Sequence, residues 1–114
     1  MDISDGGQGL DPQWTDVDNN VSGVVQGCRD ASPVAAAFVR AGWSSRSSSW
    51  YGYEVETNWA RLELDLIEGR EVLLNGVIAP QRLDDLAGLL SRFGLRFTLE
   101  LCDDTNALVR EIRA

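Results

Sequence analysis

A chain of 114 residues with 44% hydrophobic content makes one domain with a real core, and its net charge of −8, without a single histidine or lysine, limits what that domain can do. Lack of histidine removes the commonest general base and the commonest metal ligand. The acidic balance argues against nucleic-acid binding, which needs a cationic face, and against an anionic membrane surface. It fits a cationic protein partner.

Residues 1–31 read as a flexible acidic arm rich in Gly and Asp. Asp2, Asp5, Asp11, Asp16, Asp18 and Asp30 stand against Arg29 alone, and Leu10, Trp14, Val17 and Val21 are scattered. Leu10 and Trp14 are candidates to tack the arm onto the domain or onto a partner. The domain then occupies residues 32–114. Ser32-Pro33 predicts a helix start, with Val34, Ala37, Phe38 and Ala41 at helical spacing and Gly42 as its cap. Ser44 to Ser49 reads as a polar flexible loop.

Strand signals begin at Trp50. Tyr51, Tyr53 and Val55 share one face of the first strand, and Gly52, Glu54 and Glu56 the other. A turn at Thr57-Asn58 leads to Leu62, Leu64 and Leu66 alternating with Arg61, Glu63 and Asp65. Glu68-Gly69-Arg70 turns into a third strand, Glu71 to Ile78. Asn75-Gly76 is a hairpin signal inside that strand, read here as a bulge or kink because two hairpin arms would be very short. Pro80 opens a second helix, with Leu83, Leu86, Ala87 and Leu90 on one stripe and Gly94 as its stop. Leu95 to Leu101 and Ala107 to Ile112 form a terminal hairpin around Asp103–Asn106. The fold class is therefore α+β: an antiparallel sheet of about five strands with two helices, in the order α-β-β-β-α-β-β. The helices should cover the face bearing Tyr53, Leu62, Leu64, Phe97 and Leu99.

The chemistry available is sparse. Cys28 and Cys102 are too few for a disulfide framework; a single bridge is open to them, and a reducing cytoplasm favours two free thiols. Neither cysteine has a histidine to activate it. Asp16-Val17-Asp18-Asn19-Asn20 matches the opening of a calcium loop, but Val21 stands where glycine is needed and Gly27 where the bidentate glutamate belongs, so no metal site is expected. No cofactor is expected either. A hydrolase using Glu63, Asp65 or Glu100 is disfavoured, because a water-facing carboxylate is a poor general acid at neutral pH. The chain reads as non-enzymatic.

The same residues suit a partner-binding surface instead. By strand parity, Trp50, Glu54, Glu56, Trp59, Glu63, Asp65 and Glu100 share the wet face, where tryptophan anchors and carboxylates would attract an arginine- or lysine-rich protein. Trp50 and Trp59 also flank strand ends, where a fold can tuck an aromatic under a loop, so core-edge packing is equally open to them. No stretch reaches the roughly 20 apolar residues of a membrane span. The start lacks the basic and apolar regions of a signal peptide, which points to the cytoplasm.

Three runs give the chain a family likeness: Glu54–Leu64 (EVETNWARLEL), Glu71–Gly76 (EVLLNG) and Phe93–Leu101 (FGLRFTLEL). Across Phe38 to Ile112 the chain resembles small acidic immunity proteins of bacterial polymorphic toxin systems. The resemblance implies a non-catalytic module that binds and neutralises a cognate toxin domain, and it carries over no particular residue. The element order is also similar to type III secretion chaperones, which implies an adaptor for an effector segment and a homodimer; their last helix has no counterpart before Ala114.

Overall fold

The computed structural model describes residues 9–48, 52–67 and 70–114. In chain order it contains α1 (Pro12–Thr15), β1 (Val21–Gln26), α2 (Ser32–Arg40), β2 (Ser44–Ser47), β3 (Gly52–Thr57), β4 (Ala60–Ile67) and β5 (Glu71–Ile78). A 3₁₀ turn (Pro80–Arg82), α3 (Leu83–Arg92), β6 (Arg96–Cys102) and β7 (Leu108–Arg113) complete it. One antiparallel sheet runs β2-β3-β4-β5-β1-β6-β7. The predicted α-β-β-β-α-β-β core is present as α2-β3-β4-β5-α3-β6-β7, with two more strands than expected.

The larger correction concerns the predicted arm. Val21–Gln26 is a central strand, paired antiparallel with β5 on one side and β6 on the other. Its physical reason lies in the connection that follows β5. α3 returns the chain from the end of β5 to the end of the sheet where β5 began, as a crossover between parallel strands does, and β5 and β6 each run antiparallel to β1. β5 and β6, joined through α3, are therefore parallel and cannot complete an antiparallel ladder with each other. β1 fills the gap between them and faces both. Val21, Val25, Cys28 and Ala31 are all buried in the core that this creates.

A second correction concerns Ser44–Ser49. Ser44–Ser47 pairs with β3 as the short outer strand β2, from Ser44 opposite Glu56 to Ser47 opposite Tyr53. β1 and β2 are thereby parallel and joined through α2. The β1-α2-β2 and β5-α3-β6 crossovers run in opposite directions along the sheet. A half-turn about the sheet normal superposes one on the other, so a common right-handed sense places both helices on the same face. One face is thus covered and the other left open.

The covered face carries the core. Leu62, Leu64, Leu74 and Leu99 from the sheet meet Phe38, Leu83, Leu86 and Leu90 from the helices, all with no exposed surface. Each such side chain contributes about 1.5–3 kcal/mol relative to exposure. Phe38 packs edge-on against Trp43 at 4.7 Å and Phe93 at 5.3 Å. Both helices stop at left-handed glycines, Gly42 (φ 99°) and Gly94 (φ 79°). Beyond them Trp43 N–H donates to Phe38 O at 3.0 Å and Leu95 N–H to Leu90 O at 3.2 Å, the six-to-one closure that satisfies terminal carbonyls.

The predicted bulge at Asn75-Gly76 is absent. Asn75 pairs with Glu63 and Gly76 with Leu62 in unbroken register. Glycine is needed there for space: a Cβ on Gly76 would overlap the carbonyl of Arg61, and one on Gly23 would overlap that of Thr98.

β7 is tied back to the helix layer by Arg110, which donates to both carboxylate oxygens of Asp84 on α3. This bond holds the Asp84 carboxyl below the usual aspartate range. Its contribution is present above the unfolded value near about 4 and is lost as pH falls through the lower folded one. Arg110→Ala should move the Asp84 titration midpoint, read by NMR, upward towards the ordinary range. An unchanged midpoint would rule out the pairing.

Candidate functional site

The open face is assembled by register alone. Arg46 lies opposite Glu54, Glu54 opposite Glu63, Glu63 opposite Asn75, Asn75 opposite Ser22, Ser22 opposite Glu100 and Glu100 opposite Glu111. Seven strands thus present one continuous row. It contains two carboxylate pairs directly across from each other, Glu54–Glu63 and Glu100–Glu111. Like charges in that position destabilise a sheet. Arg46 bonds Glu54, and Arg113 reaches Glu111 at 3.3 Å. Arg46 and Arg113 are well exposed, so these bonds offset the repulsion only modestly.

The next row runs Asp65, Leu73, Val24, Thr98 and Arg113. Leu73 and Val24 are therefore neighbours on two central strands, both half-buried on the face opposite α2 and α3. They form the floor of a shallow depression of about 400 Å³ whose edge includes Glu71, Glu100 and Glu111. Over the whole face, Glu54, Glu56, Glu63, Asp65, Glu71, Glu100 and Glu111 stand against Arg46, Arg61, Arg96 and Arg113, so the face itself is net acidic. An apolar centre with a charged rim is the anatomy of a protein interface.

One end of this face is covered. Leu10 N–H donates to the Glu56 carboxylate, and Asp11 N–H to Asn58 O at 2.9 Å. Asn20 grips the Ile78 backbone twice, accepting from its N–H at 2.9 Å and donating to its carbonyl at 2.8 Å. Asn19 reaches Asn75 at 3.4 Å. Leu10 and Val77 are both buried outside the main core, Val77 on the open side of β5. Among the described residues the segment from Leu10 to Asn20 passes beside Val77, with Asn20 N–H donating to Gly76 O at 2.9 Å. Beside it lies a groove between α1 and the β6–β7 turn, where Trp14 and Val17 meet Asp18 and Asp104.

The predicted site residues divide accordingly. Glu54, Glu63 and Glu100 share one row, and Asp65 sits in the next. Glu56 shares the face but is engaged by Leu10. Trp50 lies outside the described residues. Trp59 is on the opposite side: Thr57 pairs with Ala60, so Asn58-Trp59 is the turn, and turn residues do not follow strand parity. Its ring meets Trp43 edge-on at 5.1 Å, with the Arg82 guanidinium 5.6 Å above it. Glu111, Val24 and Leu73 were not predicted. Glu111 alternates with Arg110 and Ile112 and was legible. Val24 was hidden because its strand was read as an arm.

Burial pushes the Cys28 thiol up, away from the reactive thiolate. Cys28 and Cys102 are both free and lie beyond opposite ends of β1, with Cys102 N–H bonded to Asn20 O. Among the described residues no cluster of three or more His, Cys, Asp or Glu is arranged to hold a metal, and no helix is long and apolar enough to cross a membrane. No protein-family model, curated protein or solved structure matches the chain.

Proposed function

We propose that this chain is a protein-binding module without catalytic activity that receives a cationic partner on the open sheet face, and that it acts as an immunity protein, neutralising a cognate bacterial toxin domain in the cytoplasm. One observation carries the reading: the sheet keeps two like-charged pairs, Glu54–Glu63 and Glu100–Glu111, directly opposite each other on its open face. Each pair costs stability that a neutral residue would recover. Local rules broken at a particular place tend to mark function. A partner's arginine or lysine side chains seated between the paired carboxylates would turn that repulsion into attraction, and Leu73 and Val24 would supply the apolar centre.

The alternative, an adaptor similar to type III secretion chaperones, rests on element order alone. A toxin partner suits a rigid face that binds without turnover. The test is a pull-down from the source organism with the tagged chain, followed by co-expression. Recovery of a toxin-bearing protein whose growth arrest the chain relieves supports the proposal; a recovered toxin with unrelieved arrest counts against it.

A further inference from the structure

We propose that β7 is a docking edge at which an extended segment of the partner adds an eighth strand, antiparallel to β7, with a basic side chain beside Glu111 and apolar side chains beside Val109 and Leu108. The inference rests on the cationic partner proposed above and specifies how part of that partner binds.

The edge is open in a defined way. Phe97 and Ala114 exchange both backbone hydrogen bonds, at 3.4 and 3.0 Å. Antiparallel ladders alternate, so the next pairs that exchange bonds are Leu99–Ile112 and Leu101–Arg110. The N–H and C=O of Glu111 and Arg113 therefore point away from β6, towards the place a further strand would occupy. Unpaired edges of this kind template strand addition unless something blunts them. The β6–β7 ladder shifts register between Leu101 and Cys102, at the Leu108–Val109 end of β7, so among the described residues the regular part of the edge is Arg110 to Arg113. The opposite edge strand, β2, is shorter and is made of three serines and Arg46. β7 is the apolar edge. Among the described residues the exposed large hydrophobics are Val17, Leu108 and Val109, the last two each 56% exposed.

Charge decides what fits. Glu111 already faces Glu100, so the position beside it on an added strand favours a cation. The position beside Arg113 favours a carboxylate. Ile112, on the helix side, favours an apolar neighbour. A second copy of this chain fits less well. Two-fold antiparallel pairing centred on Arg110 or on Glu111 sets like charges opposite each other. Centred on Ile112 it matches Glu111 with Arg113 but leaves Leu108 and Val109 beyond the ladder. Centred on Val109 it runs past Leu108 into the turn.

The probe is a fluorescein-labelled peptide, Glu-Val-Lys-Thr-Val-Leu, titrated with the full chain and read by anisotropy. Proline at position 113 removes an outward N–H without touching the β6–β7 ladder. Arg113→Pro should therefore weaken binding at least tenfold while the far-UV spectrum is unchanged. Should Arg113→Pro misfold, Glu111→Arg serves instead: it should weaken this peptide at least tenfold and favour the version with Glu in place of Lys. Absence of binding to the wild-type chain, or binding unaffected by both substitutions, would overturn the proposal. A doubled mass in light scattering that Arg113→Pro returns to monomer would overturn it too, giving the edge to a second copy. If the partner docks and the peptide does not, strand addition fails and the reading of the open face stands.

Discussion

Deleting residues 1–31 should abolish folding. Those residues hold the strand that joins the two halves of the sheet, so the loss falls at the centre. β5 and β6 run parallel with a one-strand gap between them, and neither can move into it without dragging α3 across the core. Val21 and Val25 would take about 1.5–3 kcal/mol each with them. Leu74 and Leu99, which flank Gly23 in register, would lose their cover at similar cost. Two ladders of hydrogen bonds would break, each bond worth about 0.5–1.5 kcal/mol net. Together these losses match or exceed the roughly 5–15 kcal/mol that stabilises a typical domain. Circular dichroism and urea titration of residues 32–114 should show no cooperative transition. A soluble fragment that unfolds cooperatively would mean that the sheet closes without β1.

Much of the fold can be read along the chain because each element advertises itself locally. Leu62, Leu64 and Leu66 alternate with charges, and Leu83, Leu86, Ala87 and Leu90 keep helical spacing. β1 does not advertise itself. Gly23 interrupts its apolar alternation, and Val24 on the open side blurs the contrast between faces. Its glycine is there because Thr98 leaves no room for a side chain, a reason located in another strand. What places β1 lies at long range: β5 and β6 run parallel through the α3 crossover, and β1 pairs antiparallel with both. β2 failed for a plainer reason, since Ser44–Ser47 has no strand composition and is held by its pairing with β3. In the candidate site, parity placed Glu54, Glu63, Asp65 and Glu100 on the open face. Trp59 takes the core-edge alternative instead of the parity one, because the turn begins one residue later than Thr57-Asn58 suggests.

Charge reversal on the open face should separate stability from binding in opposite directions. Glu63→Arg replaces a repulsive cross-strand pair with an attractive one opposite Glu54, and Glu100→Arg does the same opposite Glu111. Each should stabilise the free chain by about 0.2–1 kcal/mol, the range of a cross-strand pair. Raised salt, which screens the native repulsion, should stabilise the wild type more than the double variant. Binding should move the other way. Opposing a partner's cations with new cations costs several kcal/mol, so the double variant should bind the recovered partner about 100-fold more weakly or worse, mostly through slower association. Trp59→Ala is the internal contrast. Its ring packs on Trp43 beneath the helix layer, so its loss should lower stability and leave partner affinity as it was. Calorimetric unfolding and surface plasmon resonance on the same three proteins would read both axes. A double variant that is less stable than wild type would refute the like-charge pairs as a cost. One that binds the partner as tightly as wild type would move the interface off the sheet, to the groove where Trp14 and Val17 meet Asp18 and Asp104.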